Sequence, residues 1–174
     1  MACAAILLPA TALAAPGHPA APAAAAAPKC ALSDLSVWLG IPGDSAAGST
    51  FYQLEMSNIS KHSCTLIGFP GVSAVGLGGH QLGSAATRDH SDPKHLVTLG
   101  TGGTAHAVLQ IVDAGVFQPS ACHPKNAIGL RVFPPNDARS EVIGFTFKAC
   151  QTKGPKFLSV RVTRAGTGIP NFSH

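Results

Sequence analysis

Apolar and polar side chains alternate with a period of two in run after run of this chain, and no other feature restricts the fold as much. Leu35, Val37 and Leu39 are separated by Ser36 and Trp38. Tyr52, Leu54 and Met56 alternate with Gln53 and Glu55. The spacing recurs at Ala107, Leu109 and Ile111, and at Ile128, Leu130 and Val132. It recurs again at Ile143, Phe145 and Phe147, and at Leu158, Val160 and Val162. A period of two places each apolar row on one face of an extended strand. Two more strands are expected at 64–69 and 72–77, on either side of a turn or bulge at Pro70-Gly71. Turn residues punctuate the runs at Pro42-Gly43-Asp44, 58–61, Gly78-Gly79, 100–103 and Pro134-Pro135-Asn136-Asp137. No helical period is sustained. Seven or eight short strands without helices predict an all-β, antiparallel sandwich of two sheets. One wet face per sheet accounts for the alternation. Segment 83–96 is polar and lacks a period, so it reads as a surface loop.

The N-terminus is different in kind. Residues 1–28 contain no Lys, Arg, Asp or Glu. The apolar run 2–15 is shorter than the ~20 residues a membrane span needs. It carries an Ala12-Leu13-Ala14 pattern, whose small residues suit signal-peptidase cleavage. The expectation is a signal peptide over 1–14. No basic residue precedes the run, so the true start is expected to lie upstream. Cys3 lies at the very start of the run, ahead of its apolar body, and is not placed for lipid attachment. Residues 15–28 are Ala- and Pro-rich, with too little apolar bulk to fold, and read as an extended tether. The sandwich then occupies 29–167, followed by a tail, 168–174.

Processing after Ala14 would leave four cysteines: Cys30, Cys64, Cys122 and Cys150. An even number in an exported chain implies disulfides. No C-x-x-C spacing supports a zinc ribbon or a redox dithiol. Three pairings are open. Cys30–Cys64 and Cys122–Cys150 are favoured, because each pair is nearer in sequence and brackets a compact group of strands.

The chemistry-bearing residues are sparse. The net charge of +4 lies after residue 28. Lys148, Lys153, Lys156, Arg161 and Arg164 follow one another with no acid between them. They are a candidate surface for an anionic partner such as wall polymer. The plainer reading is a solvated sheet edge guarded by cations. No aromatic residues interleave with them, which argues against nucleic acid as a partner. There is no G-x-S-x-G elbow, and nothing nominates a catalytic pair of carboxylates. The chain is therefore expected not to be an enzyme and to need no cofactor. A hydrolase assembled from scattered loops is the third-ranked reading. The second is a zinc or copper site in segment 83–96, where His90, Asp92 and His95 lie within six residues. Trp38 falls on the outward row of its strand and could anchor a partner, unless a neighbouring loop covers it. Asn58-Ile59-Ser60 matches a glycosylation pattern but reads as a turn with local hydrogen bonds.

Several of these pieces together resemble a known family. They are Asn58-x-Ser60 and Cys64-x-Leu66-x-Gly68-x-Pro70-x-Val72; 99–103 with Thr104-Ala105-x-Ala107-x-Leu109; Cys122 ahead of Leu130-x-Val132-x-Pro134-Pro135; and Cys150 ahead of Leu158-x-Val160-x-Val162. This order is similar to that of domain of unknown function 4232, an actinobacterial secreted or lipoprotein-type envelope domain. The resemblance runs from Cys30 to Gly166. It implies an immunoglobulin-like sandwich in the cell envelope and no particular reaction. This chain lacks a lipobox Cys before its tether, which favours release or wall association over a lipid anchor. The leading expectation is a non-catalytic, monomeric envelope module that contacts a protein, wall polymer or small ligand.

Overall fold

The structure, a computed structural model, describes residues 26–168. The expected signal peptide, most of the tether, Cys3 and the last six residues lie outside the described residues.

The first alternating runs become a hairpin of β1 (Leu35–Ala46) and β2 (Ser49–Asn58). Its turn, Ala47-Gly48, has φ of 48° and 76°. Two positive φ angles suit a two-residue hairpin, because that turn follows the twist of its strands. The turn expected at Pro42-Gly43-Asp44 does not form. The strand runs on, with register shifts on either side of Pro42. β1 is an edge strand, which bonds to a neighbour on one side only and so tolerates proline better than a central strand.

The chain continues through β3 (Cys64–Ile67), β4 (Gly71–Val75), β5 (Gln81–Leu82), β6 (Thr87–Arg88), β7 (Leu96–Leu99) and β8 (Thr104–Val112). A four-residue helix, α1 (Pro119–Cys122), precedes β9 (Pro124–Phe133), β10 (Glu141–Cys150), β11 (Leu158–Val160) and β12 (Arg164–Ala165). The described residues thus hold twelve strands rather than seven or eight. β5, β6 and β12 are two residues long and leave no periodic signal. The fold is all-β, as the alternation requires.

The larger sheet runs β1-β2-β8-β11-β6, with β12 beside β8. The second runs β10-β9-β4-β5, and β3 pairs with β7 separately. Strand pairs are antiparallel except β6 with β11, which is parallel. The inward rows share one core: Leu54, Met56 and Leu109 from the larger sheet, Val72, Leu130 and Val132 from the second, and Leu66 and Leu99 from the short pair. Each such side chain contributes ~1.5–3 kcal/mol when buried. Tyr52 meets Phe145 edge to face at 5.0 Å, joining β2 to β10 across the sandwich.

One apolar row differs from the expectation. Ala127, not Ile128, takes the inward place on β9, and Ile128 is 41% exposed. The cause is a bulge: Gly144 pairs with Gly129, but the next pair is Phe147 with Ala127. The extra residue on β10 shifts the phase of β9 by one.

Both expected disulfides form, Cys30–Cys64 and Cys122–Cys150, with all four cysteines buried. The first ties the N-terminal segment to β3, and the second ties α1 to the end of β10. Among the described residues, no helix is long and apolar enough to cross a membrane.

Candidate functional site

Three connections converge on one cleft. The first is 68–70, between β3 and β4. Gly68 has φ of 98°, a conformation that disfavours any side chain. Its carbonyl accepts the Thr163 N–H at 2.8 Å, fixing the turn to the larger sheet. Phe69 is buried behind it.

The second is segment 83–96, which is more than the surface loop expected. The Ala86 N–H donates to Val72 O at 2.8 Å, and the Asp89 N–H to Val160 O at 2.9 Å. Between them β6 pairs with β11, so Thr87 and Arg88 extend the larger sheet. Two residues of strand cannot show a period, and the polar side chains hid the pairing. Beyond β6, Asp89 accepts the Ser91 N–H at 3.0 Å and pairs with Arg161 at 3.3 Å. The Ser91 hydrogen bonds, then Arg161, hold its carboxyl below the ordinary range. Asp92 pairs with Arg164 at 2.9 Å.

The third is the turn after β9. Asn136, at φ 63°, donates through Nδ2 to Ile67 O at 2.9 Å. Asp137 Oδ2 accepts the Leu32 N–H at 2.6 Å, and its Oδ1 accepts the Arg139 N–H at 2.9 Å. The Arg139 guanidinium lies 3.1 Å from Oδ2. The bonds from Arg139, then the Leu32 N–H, pull the Asp137 carboxyl down to about 2.

Between these walls lies an open cleft of about 490 Å³, lined by Ile67, Phe69, Arg88, Lys94, Phe133 and Asp137 among others. That is within the ~300–1,000 Å³ typical of small-ligand sites. Arg88 Cζ and Lys94 Nζ each lie 5.8 Å from the centre of the Phe69 ring.

The residues singled out by sequence are distributed differently. His90 lies against Phe69, with ring centres 4.9 Å apart, while Asp92 is engaged by Arg164. His90, Asp92 and His95 are not gathered into a ligand set. Among the described residues, no group of three His, Cys, Asp or Glu is placed to hold a metal ion. The five clustered cations are also divided. Arg161 and Arg164 meet carboxylates from segment 83–96, while Lys148 sits on the other sheet, in β10. Lys153 and Lys156 lie in the exposed link that follows. The sequence shows no acid inside the cluster because its acids arrive from 72 residues away.

Trp38 faces outward and is 39% exposed. Its row continues across the sheet through Glu55 and His106 to Arg164. The chain at 166–168 crosses this row. The Gly168 N–H donates to Glu55 Oε1 at 2.9 Å, and Gly166 O lies 2.8 Å from His106 Nδ1. Glu55 is left 4% exposed, and burial pushes its carboxyl above the ordinary range despite the Gly168 N–H and His106.

Asn58 is 0% exposed. Its Nδ2 donates to His62 O, Leu99 O and Gly100 O at 2.8, 3.0 and 3.2 Å. Its Oδ1 accepts the Ser60 N–H and hydroxyl at 2.9 and 2.7 Å. The glycosylation pattern is therefore a structural turn, with its amide enclosed.

A family model described as domain of unknown function (DUF4232) matches residues 30–165. The chain belongs to this family. No curated protein and no solved structure matches it. The connection that holds Gly68 and Pro70, two of the residues that carry the DUF4232 resemblance, supplies one wall of the cleft. Sequence reasoning used those residues to recognise the family and not to locate a site. Arg88, Lys94 and Phe133 were missed altogether. The available signal is the pair of cations in 83–96, which sit beside Asp89 and Asp92 in the sequence.

Proposed function

We propose that this DUF4232 domain is a non-catalytic, exported module of the cell envelope that holds its ligand in the cleft between 67–71, 88–94 and 133–137. One observation carries the reading: three connections remote in sequence are each pinned by hydrogen bonds around a space of ligand size. Rigid walls favour binding because little order is lost when a ligand enters. The two buried disulfides support export, since such bonds persist in oxidising compartments.

The test is an NMR titration of isotope-labelled protein with fractions of envelope extract. The reading expects amide shifts concentrated at 67–71, 88–94 and 133–137. Shifts confined to the Trp38 face, or none from any fraction, would sink it.

A further inference from the structure

Resting on that cleft as the binding site, we propose that it selects an oxyanion, a phosphate or carboxylate group carried on an apolar body, with Arg88 and Lys94 supplying the charge. The argument is a local balance of ions. Three carboxylates lie on the connections that form the site, Asp137 lining it and Asp89 and Asp92 in segment 88–94, and each already has a cation: Asp89 has Arg161, Asp92 has Arg164, and Asp137 has Arg139. Arg88 and Lys94 line the same cleft, and neither has an ion-pair partner among the described residues. The site carries two surplus positive charges.

The placement of these charges matters as much as their number. Both sit at 5.8 Å from one ring centre, so they lie no farther apart than twice that distance. The charged heads themselves lie over the Phe69 ring, whose face attracts cations, and both side chains line the open cleft. Arg88 is further fixed by its place in β6, paired with Val160. Two cations lining one cleft can each donate to an anion held there, and hydrogen bonds to charged groups are the stronger kind. Asp137 does not cancel them, because Leu32 and Arg139 occupy its oxygens. Ile67 and Phe133 give the cleft apolar wall beside the charge, so a bare ion would leave part of it unfilled.

The probes are phenyl phosphate, benzoate, inorganic phosphate and the neutral benzyl alcohol, titrated into the labelled full chain. Phenyl phosphate and benzoate are expected to shift amides around Gly68, Arg88 and Lys94 saturably. Inorganic phosphate should bind more weakly than phenyl phosphate. Relative strength of phenyl phosphate and benzoate identifies the preferred oxyanion. Added salt should weaken both. The double variant Arg88→Gln, Lys94→Gln removes two charges from exposed side chains and should retain its melting temperature while losing at least about tenfold in affinity.

Equal binding by the double variant would overturn the proposal, as would binding of benzyl alcohol as tight as that of the anions. In the second case the cleft still binds ligands, so the proposed function survives without the anion. Anion shifts mapping only to Lys148, Lys153 and Lys156 would overturn both.

Discussion

Asn58 is the residue whose replacement tests the architecture most sharply. It ends β2, and its side chain joins the 58–62 turn to Leu99 of β7 and to the 100–103 turn. Its backbone is committed to the same place: the Asn58 N–H donates to Gly103 O, and its carbonyl accepts the Gly102 N–H, each at 2.8 Å. In Asn58→Ala, three carbonyls lose a donor, and Ser60 loses its acceptor. At ~1 kcal/mol for each well-formed bond, with solvent reaching the Ser60 side, the loss is about 3 kcal/mol. Against a whole-domain stability of ~5–15 kcal/mol, that is a large share.

Asn58→Asp separates hydrogen bonding from simple loss of bulk. The carboxylate keeps the shape and can still accept from Ser60. It cannot donate, and its second oxygen faces the carbonyls of His62, Leu99 and Gly100 in a buried site. At pH 7 the Asp variant should therefore be less stable than the Ala variant, losing roughly 4–5 kcal/mol. Burial against acceptors raises the folded-state pKa of this Asp above its unfolded value of ~3.9. Its protonated form, which can donate one bond, is thus favoured by folding. The recovered stability is fully present below that unfolded value and is lost as pH rises through the folded one. Relative to the Ala variant, the Asp variant should improve on acidification. Urea unfolding, followed by fluorescence of the one tryptophan, Trp38, and by circular dichroism, measures both quantities. An Asp variant as stable as Ala at pH 7, or a difference between them independent of pH, would refute the assigned donor geometry.

Other perturbations have equally definite outcomes. Glu55→Gln should stabilise the protein at pH 7, because burial disfavours the Glu55 carboxylate and Gln can still accept from Gly168. Wild-type stability from the raised pKa is full at low pH and lost as pH rises, so the variant's advantage should vanish in urea melts below the ordinary Glu range of ~4.3. Replacing Cys122 and Cys150 together by Ala opens a link across 28 residues and should cost about 3.5 kcal/mol in the chain-entropy model, lowering the melting temperature by roughly 10 °C. A scan showing no shift would contradict that. Gly129→Ala places a Cβ 2.6 Å from Ile143 O and 2.9 Å from Val142 Cγ1, both on β10, and should cost ~1–3 kcal/mol. Gly144→Ala, at the paired position with nothing within 4 Å, is the control and should be nearly neutral.

The sequence disclosed the elements whose signal is repeated over several residues. Six alternating rows mark strands, and five of the six keep their inward face as read. The sixth failed at Ile128 because a bulge on β10 changes the phase of its neighbour, and a bulge leaves no mark on the strand it displaces. Pro42-Gly43-Asp44 reads as a turn because its residues are those that turns favour; the edge position that lets a strand carry Pro42 can be learned only from the sheet order. The disulfide pairing was legible because nearness in sequence coincided with nearness in space.

The cleft was hidden for a related reason. Charge along a sequence can be counted only between neighbours, and in 83–96 Arg88 and Lys94 sit beside Asp89 and Asp92. Read locally, the segment is neutral and its histidines draw attention to a metal. In the fold, β6 and β11 run parallel, which brings the chain after 160 alongside the chain after 88. Arg161 and Arg164 then take the two carboxylates. The same pairing that removes Asp92 from a metal ligand set uncovers the charge of Arg88 and Lys94. A basic run that read as one patch is thereby divided, and the surplus charge reappears on a different element, beside Phe69. The electrostatics of this end of the sandwich is thus set by strand register, and Arg161→Ala with Arg164→Ala should weaken oxyanion binding by returning Asp89 and Asp92 to the neighbourhood of the cleft.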